Sequence, residues 1–206
     1  IIAPDFTLTN QHNTTTTLSE HSGKVVVVAF TYTHCPDVCL AVEANLYSVM
    51  TELGPDYGSD VEILSISIDP MRDTPEHLLN WTTERGYTWP HVTSEDHMVM
   101  MGLWNDWGIA VDNDHINSDH SDHGDNNTSQ NATSEEEHHE EGEHENEGQD
   151  GEAAEIYEVG HSTVTFIIDD DGMKRVAWVG SDWSVHGFLE DVYTLMGEDE
   201  QTSHGH

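Results

Sequence analysis

The sequence predicts an α/β fold with a central mixed sheet flanked by helices. Three observations carry this expectation. Apolar runs at residues 24–30 and 61–68 each lead into a stretch with helical spacing. Two further strand-like runs, residues 163–168 and 174–179, are separated by a turn ending at Gly172 and form an expected hairpin. A closing stretch, residues 184–196, sets Val185, Phe188, Leu189, Val192 and Leu195 on one side of a helix.

In chain order, residues 2–10 and 14–18 predict a short hairpin. Phe6 and Leu8 alternate with polar neighbours, and residues 10–13 make its turn. Strand 24–32 follows, with a helix to about Leu53 that buries Val42, Leu46, Val49 and Met50 and stops at Gly54 and Pro55. The strand at 61–68 is ended by Asp69 and Pro70. Thr74 then caps a helix with Pro75 at its first position, and Leu78, Leu79 and Trp81 form its apolar side. Ser94 is the expected cap of the next helix, with Met98, Met101 and Trp104 inward, and residues 107–111 allow a short strand.

Residues 112–155 break the pattern. They hold 16 acids and six histidines (His115, His120, His123, His138, His139 and His144), no Lys or Arg, and almost no large apolar side chain. Such a stretch buries too little surface to offset its ordering entropy, so it is expected to be a disordered acidic and His-rich insertion. Its ends must lie close together, because strand pattern resumes at once. The expectation is therefore one domain over residues 1–196, interrupted by 112–155, with a flexible tail at 197–206. The element order matches a thioredoxin-like fold, in which a redox turn sits between the first core strand and its helix.

That turn carries both cysteines of the chain, Cys35 and Cys39. At a helix start, residues i and i+4 share a face with Cα atoms about 6 Å apart. That spacing allows a disulfide. It equally allows both sulfurs to bind one soft metal, Cu(I), or Zn(II) with further ligands. The helix dipole at its N-terminus favours the Cys35 thiolate. A third ligand must come from elsewhere, and His161 is the candidate. It precedes the hairpin strand, and in a thioredoxin-like sheet the loop there faces the redox turn.

Three segments resemble the SCO/SenC family of copper-handling thioredoxin-like proteins: residues 30–39 (F-T-Y-T-H-C-P-D-V-C), residues 65–76 (S-I-S-I-D-P-M-R-D-T-P-E), and residues 159–172, with Val159, Gly160, His161 and Ser162 followed by Ile167, Ile168, Asp169 and Gly172. The resemblance implies that Cys35, Cys39 and His161 are copper ligands and that the two thiols also form a redox-active, disulfide-forming pair. It implies work outside the cytoplasm, associated with the cell membrane, in metallating the dinuclear copper site of cytochrome c oxidase subunit II. Two positions depart from the family pattern: Leu40 stands where Pro is common and Gly160 where Asp is common.

Two other functions compete. A thiol–disulfide oxidoreductase would reduce the cysteines of the target site, but such enzymes usually carry Cys-x-x-Cys and a Pro before the hairpin strand, and residues 160–164 contain no Pro. A peroxidase needs an Arg beside its nucleophile, and neither Arg72 nor Arg85 has an evident relation to Cys35. The insertion histidines fit a solvated acidic loop better than a rigid metal site. Met98, Met100 and Met101 fit core packing better than thioether ligation. His34 is either an exposed turn residue or a modulator of Cys35. Asp69, Arg72 and Asp73 are expected to pair and to cap the following helix.

Acids outnumber bases 41 to 5, for a net charge of −36 over 206 residues. Such a chain repels nucleic acid and anionic membrane surfaces, so no nucleic-acid partner is expected and a membrane is expected only through a removed N-terminal anchor. No stretch approaches the roughly 20 apolar residues of a membrane span. The chain opens at Ile1 rather than Met, so an N-terminal targeting or anchoring segment is expected to have been removed. The protein is expected to be a monomer. Acids spread over the folded parts suit very high salt, where the Debye length falls to about 3 Å at 1 M and self-repulsion becomes tolerable. Thermal melts should therefore gain in midpoint as salt is raised to molar levels; a midpoint unchanged from dilute buffer would contradict this adaptation.

Overall fold

The computed structural model describes residues 1–112 and 159–202. At its centre is β3 (Val25–Thr31), every residue of which is buried. Its side chains alternate between two cores: Val26, Val28 and Phe30 on one face, Val25, Val27 and Ala29 on the other. An apolar run without alternation is what a strand covered on both faces requires. β3 pairs in parallel with β4 (Val61–Ser67), which in turn pairs in parallel with β5 (His91–Thr93).

The expected N-terminal hairpin is present as β1 (Thr7–Asn10) and β2 (Thr15–Thr17), and β1 adds antiparallel to β5. On the other side of β3 lies a second hairpin. It starts after a two-stranded ribbon of β6 (Val111–Asp112) and β7 (Gly160–His161), and consists of β8 (Val164–Ile168) and β9 (Lys174–Val179). The order β2-β1-β5-β4-β3-β8-β9 is a mixed seven-stranded sheet.

Among the described residues, four α-helices cover it. α1 (Val38–Leu53) and α4 (Val185–Thr202) share one core, where Val42, Leu46 and Val49 meet Phe188, Leu189 and Val192. α3 (His97–Trp107) covers the opposite face through Met100, Leu103, Trp104 and Trp107. α2 (Pro75–Arg85) buries Leu78 and Trp81, the latter edge-on to His91 at 5.7 Å between centroids. Its start is as expected: Thr74 Oγ1 accepts from the His77 amide.

Several expectations need correction. The cap of α3 is Asp96, whose carboxylate accepts from the Met98 and Val99 amides, whereas Ser94 Oγ accepts from the Asp96 amide. The inward stripe is therefore 100, 103, 104 and 107. Met98 is left 61% exposed and Met101 half-buried. Trp107 closes this helix instead of opening a strand, because Gly108 takes the left-handed conformation (φ 74°) that ends it. Leu79, expected on the apolar side of α2, is exposed. The three-residue β5 was not expected. It is too short to show a period, and it exists because β1 and β4 flank it. At the C-terminus α4 runs on to Thr202, past the expected end at 196. The insertion expected over 112–155 lies outside the described residues except for Asp112, which is a strand residue here. Its flanks do lie together, Val111 opposite His161 and Asp112 opposite Gly160.

Candidate metal and redox site

The site forms at the carboxyl ends of β3 and β4, the end of a parallel sheet where ligand crevices usually open. Beyond β3 the chain makes a loop over residues 32–37 before α1 begins at Val38. The expectation that both cysteines share a helical face is corrected here: only Cys39 is helical, and Cys35 lies before the cap residue. Asp37 holds the cap position but makes no side-chain cap bond. The sulfur of Cys35 does so instead, accepting from the Cys39 amide at 3.3 Å. Cys35 thus receives one of the donors that a helix start leaves unpaired.

Both cysteines are free thiols, and both are buried. On the opposite side, His161 reaches Cys39 with Nε2 at 3.4 Å from Sγ. Its other ring nitrogen, Nδ1, lies 3.1 Å from the Ser162 carbonyl. A carbonyl only accepts, so Nδ1 carries the proton and Nε2 presents its lone pair to the sulfur. Tyr32 fastens this arrangement. Its ring meets His161 edge-on at 5.8 Å, and its hydroxyl accepts from the Val159 amide at 3.3 Å. Burial pushes the Tyr32 phenol up to about 12.

The two thiols are electrostatically unequal. A hydrogen bond from Cys39 holds Cys35 well below the usual thiol range against the cost of burial, helped by the Asp37 and Cys39 amides. Cys39 is pushed up by donating that bond and by its own burial. The pair therefore shares one negative charge, carried on Cys35. Below Cys39 on the same helix face, the fully buried Glu43 accepts from Thr31 Oγ1 at 2.6 Å and faces His91 Nε2 at 3.3 Å.

Asp73 does not cap α2 as expected; Thr74 does. The Asp73 side chain is turned inward, fully buried, and accepts from Thr33 Oγ1 (2.6 Å) and Ser67 Oγ (2.7 Å), so it ties the cysteine loop to the end of β4. Burial pushes its carboxyl up to about 7. Arg72 pairs with Asp69 at 2.5 Å. His34 and His77 stack at 5.0 Å between ring centroids, and burial lowers the pKa of both.

The sequence model of the SCO1/SenC family matches residues 1–132. The chain belongs to the SCO1/SenC family. The matched region contains the cysteine loop and Asp73 but not His161, so the place of His161 rests on the geometry above. The human mitochondrial SCO1 homolog is 33% identical over 85 residues, 41% of this chain and 28% of that protein. Protein SenC of Rhodobacter capsulatus is 35% identical over 81 residues, 39% of this chain and 36% of that protein. The matches thus span about a third of these relatives' lengths. Among solved structures, copper-bound ScoI of Bradyrhizobium japonicum superposes with a TM-score of 0.66 at 19% identity, covering 95% of this chain and 99% of that one. Copper-bound ScoI of Arabidopsis thaliana gives 0.66 at 18%, covering 96% and 99%. These likenesses establish the thioredoxin-like fold of the family.

The two departures from the family pattern flank the site. Leu40 is 36% exposed, next to Cys39. A Cβ at Gly160 would stand 3.5 Å from Cβ of Asp112, an ordinary contact, so the strand pairing leaves room for a side chain there. Tyr32 and the inward turn of Asp73 were missed in the sequence. A Tyr opening the cysteine loop was the one available signal.

In chemical terms, two sulfurs and an imidazole nitrogen form a soft donor set suited to Cu(I), and the same two sulfurs can be oxidised together. The unequal charges give a direct consequence. At about pH 6, iodoacetamide should label reduced protein at Cys35 well before Cys39, because only the thiolate attacks. Peptide mass mapping that finds equal labelling of both would contradict the assignment.

Proposed function

We propose that the chain is a copper-binding metallochaperone that delivers copper to the dinuclear site of cytochrome c oxidase subunit II, with Cys35, Cys39 and His161 as the ligands. The observation that carries this reading is the approach of His161 Nε2 to Cys39 Sγ at 3.4 Å, from a part of the chain 122 residues away. A disulfide enzyme has no need of an imidazole with its lone pair aimed at the buried sulfur. A soft metal does, because two thiolates alone leave a coordination position open. Support from outside the chain comes from the relatives solved with copper bound, and from BsSco, described as a member of a family of cytochrome c oxidase assembly proteins.

A second reading is favoured by the depressed Cys35 thiol: a reductase that prepares the cysteines of the target copper site. BsSco, in which a disulfide switch was identified, lends it support. In this reading Cys35 attacks the target disulfide and Cys39 resolves the mixed disulfide, which releases the reduced target and leaves the Cys35–Cys39 disulfide. We further place the protein outside the cytoplasm at the membrane surface, in line with a family lipoprotein of Bacillus anthracis. No helix among the described residues is long and apolar enough to cross a membrane.

Cu(I) titration of the reduced protein against a chromogenic chelator separates the readings. The expected result is one tight equivalent, lost in Cys35→Ser and in Cys39→Ser, and weakened on the order of tenfold or more in His161→Ala. Tight binding unaffected by His161→Ala would remove the imidazole from the site and favour the reductase.

A further inference from the structure

A second gathering of ligand atoms stands beside the thiols. His34, Asp73 and His77 each place one potential metal ligand atom within 4.8 Å of the other two. They come from both loops that crown the parallel strands: His34 precedes Cys35, Asp73 lies between β4 and α2, and His77 stands in the first turn of α2. A single hydroxyl marks their common focus. Thr33 Oγ1 is 2.6 Å from Asp73 Oδ1, 2.9 Å from His34 Nδ1 and 2.9 Å from His77 Nε2. The carboxylate is fully buried and is held by two hydroxyls and a backbone amide, all neutral donors. The two imidazoles stack within 19° of parallel, open to solvent on the His34 side.

We propose that His34, His77 and Asp73 form a second metal site, distinct from the thiol pair, that takes a borderline divalent cation, Zn(II) or Cu(II). Two imidazole nitrogens and a carboxylate oxygen suit such ions, whereas Cu(I) prefers the sulfurs, so donor softness separates the two sites. A cation at the focus replaces the three hydrogen bonds to Thr33. Each imidazole turns a lone pair inward by shifting its proton to the opposite ring nitrogen, and the Thr33 side chain rotates aside. The net charge of −36 raises the local concentration of any cation.

The test uses the full chain with Cys35→Ser and Cys39→Ser, which removes the thiol ligands. Calorimetric titration with zinc chloride, and electron paramagnetic resonance after titration with copper(II) sulfate, are run with and without His77→Ala. Histidines of residues 113–158 contribute equally to both proteins, so the difference isolates this site. The expected result is the loss of one equivalent, or at least a tenfold fall in its affinity, together with loss of the two-nitrogen hyperfine pattern from the Cu(II) signal. His186→Ala, an exposed histidine on α4, should leave both unchanged. Should His77→Ala fail to fold, the exposed His34→Ala carries the same readout. Equal stoichiometry and affinity with and without these histidines would overturn the proposal. Because the thiols are absent throughout, failure here is distinct from failure of the Cu(I) titration.

Discussion

The antiparallel pairing of β3 with β8 is the constraint on which the site depends. Its register sets Val26 opposite Ile168 and Ala29 opposite Thr165. Just past the last pair the two strands lead to Tyr32 and His161, whose rings meet edge-on at 5.8 Å at the mouth of the cysteine loop. The ladder lies inside the sheet, one strand from its edge, with β3 buried between two cores. A one-residue slip would exchange the faces of Val26, Val28 and Phe30 with those of Val25, Val27 and Ala29. The core therefore fixes the register, and the register places the imidazole. The β6–β7 ribbon sets Val111 opposite His161 and Asp112 opposite Gly160.

Burial then gives the placed groups their chemistry. Two thiols with little access to water do not both ionise. They share a proton, and the charge settles on Cys35, where the Cys39 thiol and the Cys39 amide both donate to it. Asp73 and Tyr32 act through position. One ties the cysteine loop to β4 through Thr33, and the other holds the backbone of Val159 and the ring of His161. The result is a nucleophile and a set of soft donors formed by the same atoms, which is why metal handling and thiol exchange are both within reach of one site.

The mixed sheet, its long strands, the four helices and the candidate positions of Cys35, Cys39 and His161 were legible in the sequence because each rests on a strong local signal. β3 has its apolar run, α2 its Thr74 and Pro75, the cysteines their spacing, and His161 its position before a strand. Other features lack such signals. β5 borrows its conformation from neighbours on both sides. The choice of Asp96 over Ser94 as the cap of α3 turns on the Asp96 carboxylate reaching two amides at once while the Ser94 hydroxyl is taken by the Asp96 amide, and the methionine stripe shifts with it. That Cys35 lies outside α1 depends on its sulfur taking the place of a cap side chain. The inward turn of Asp73 depends on Thr33, 40 residues away, which no local pattern announces.

The proposed donor set joins Cys35, Cys39 and His161 on one copper ion. X-ray absorption at the copper edge of the Cu(I)-loaded full chain tests it directly. Two sulfur scatterers and one imidazole nitrogen per copper are expected, with the imidazole contribution lost in His161→Ala while the two sulfurs remain. A site with sulfur scatterers alone in the wild-type protein, unchanged by that substitution, would contradict it.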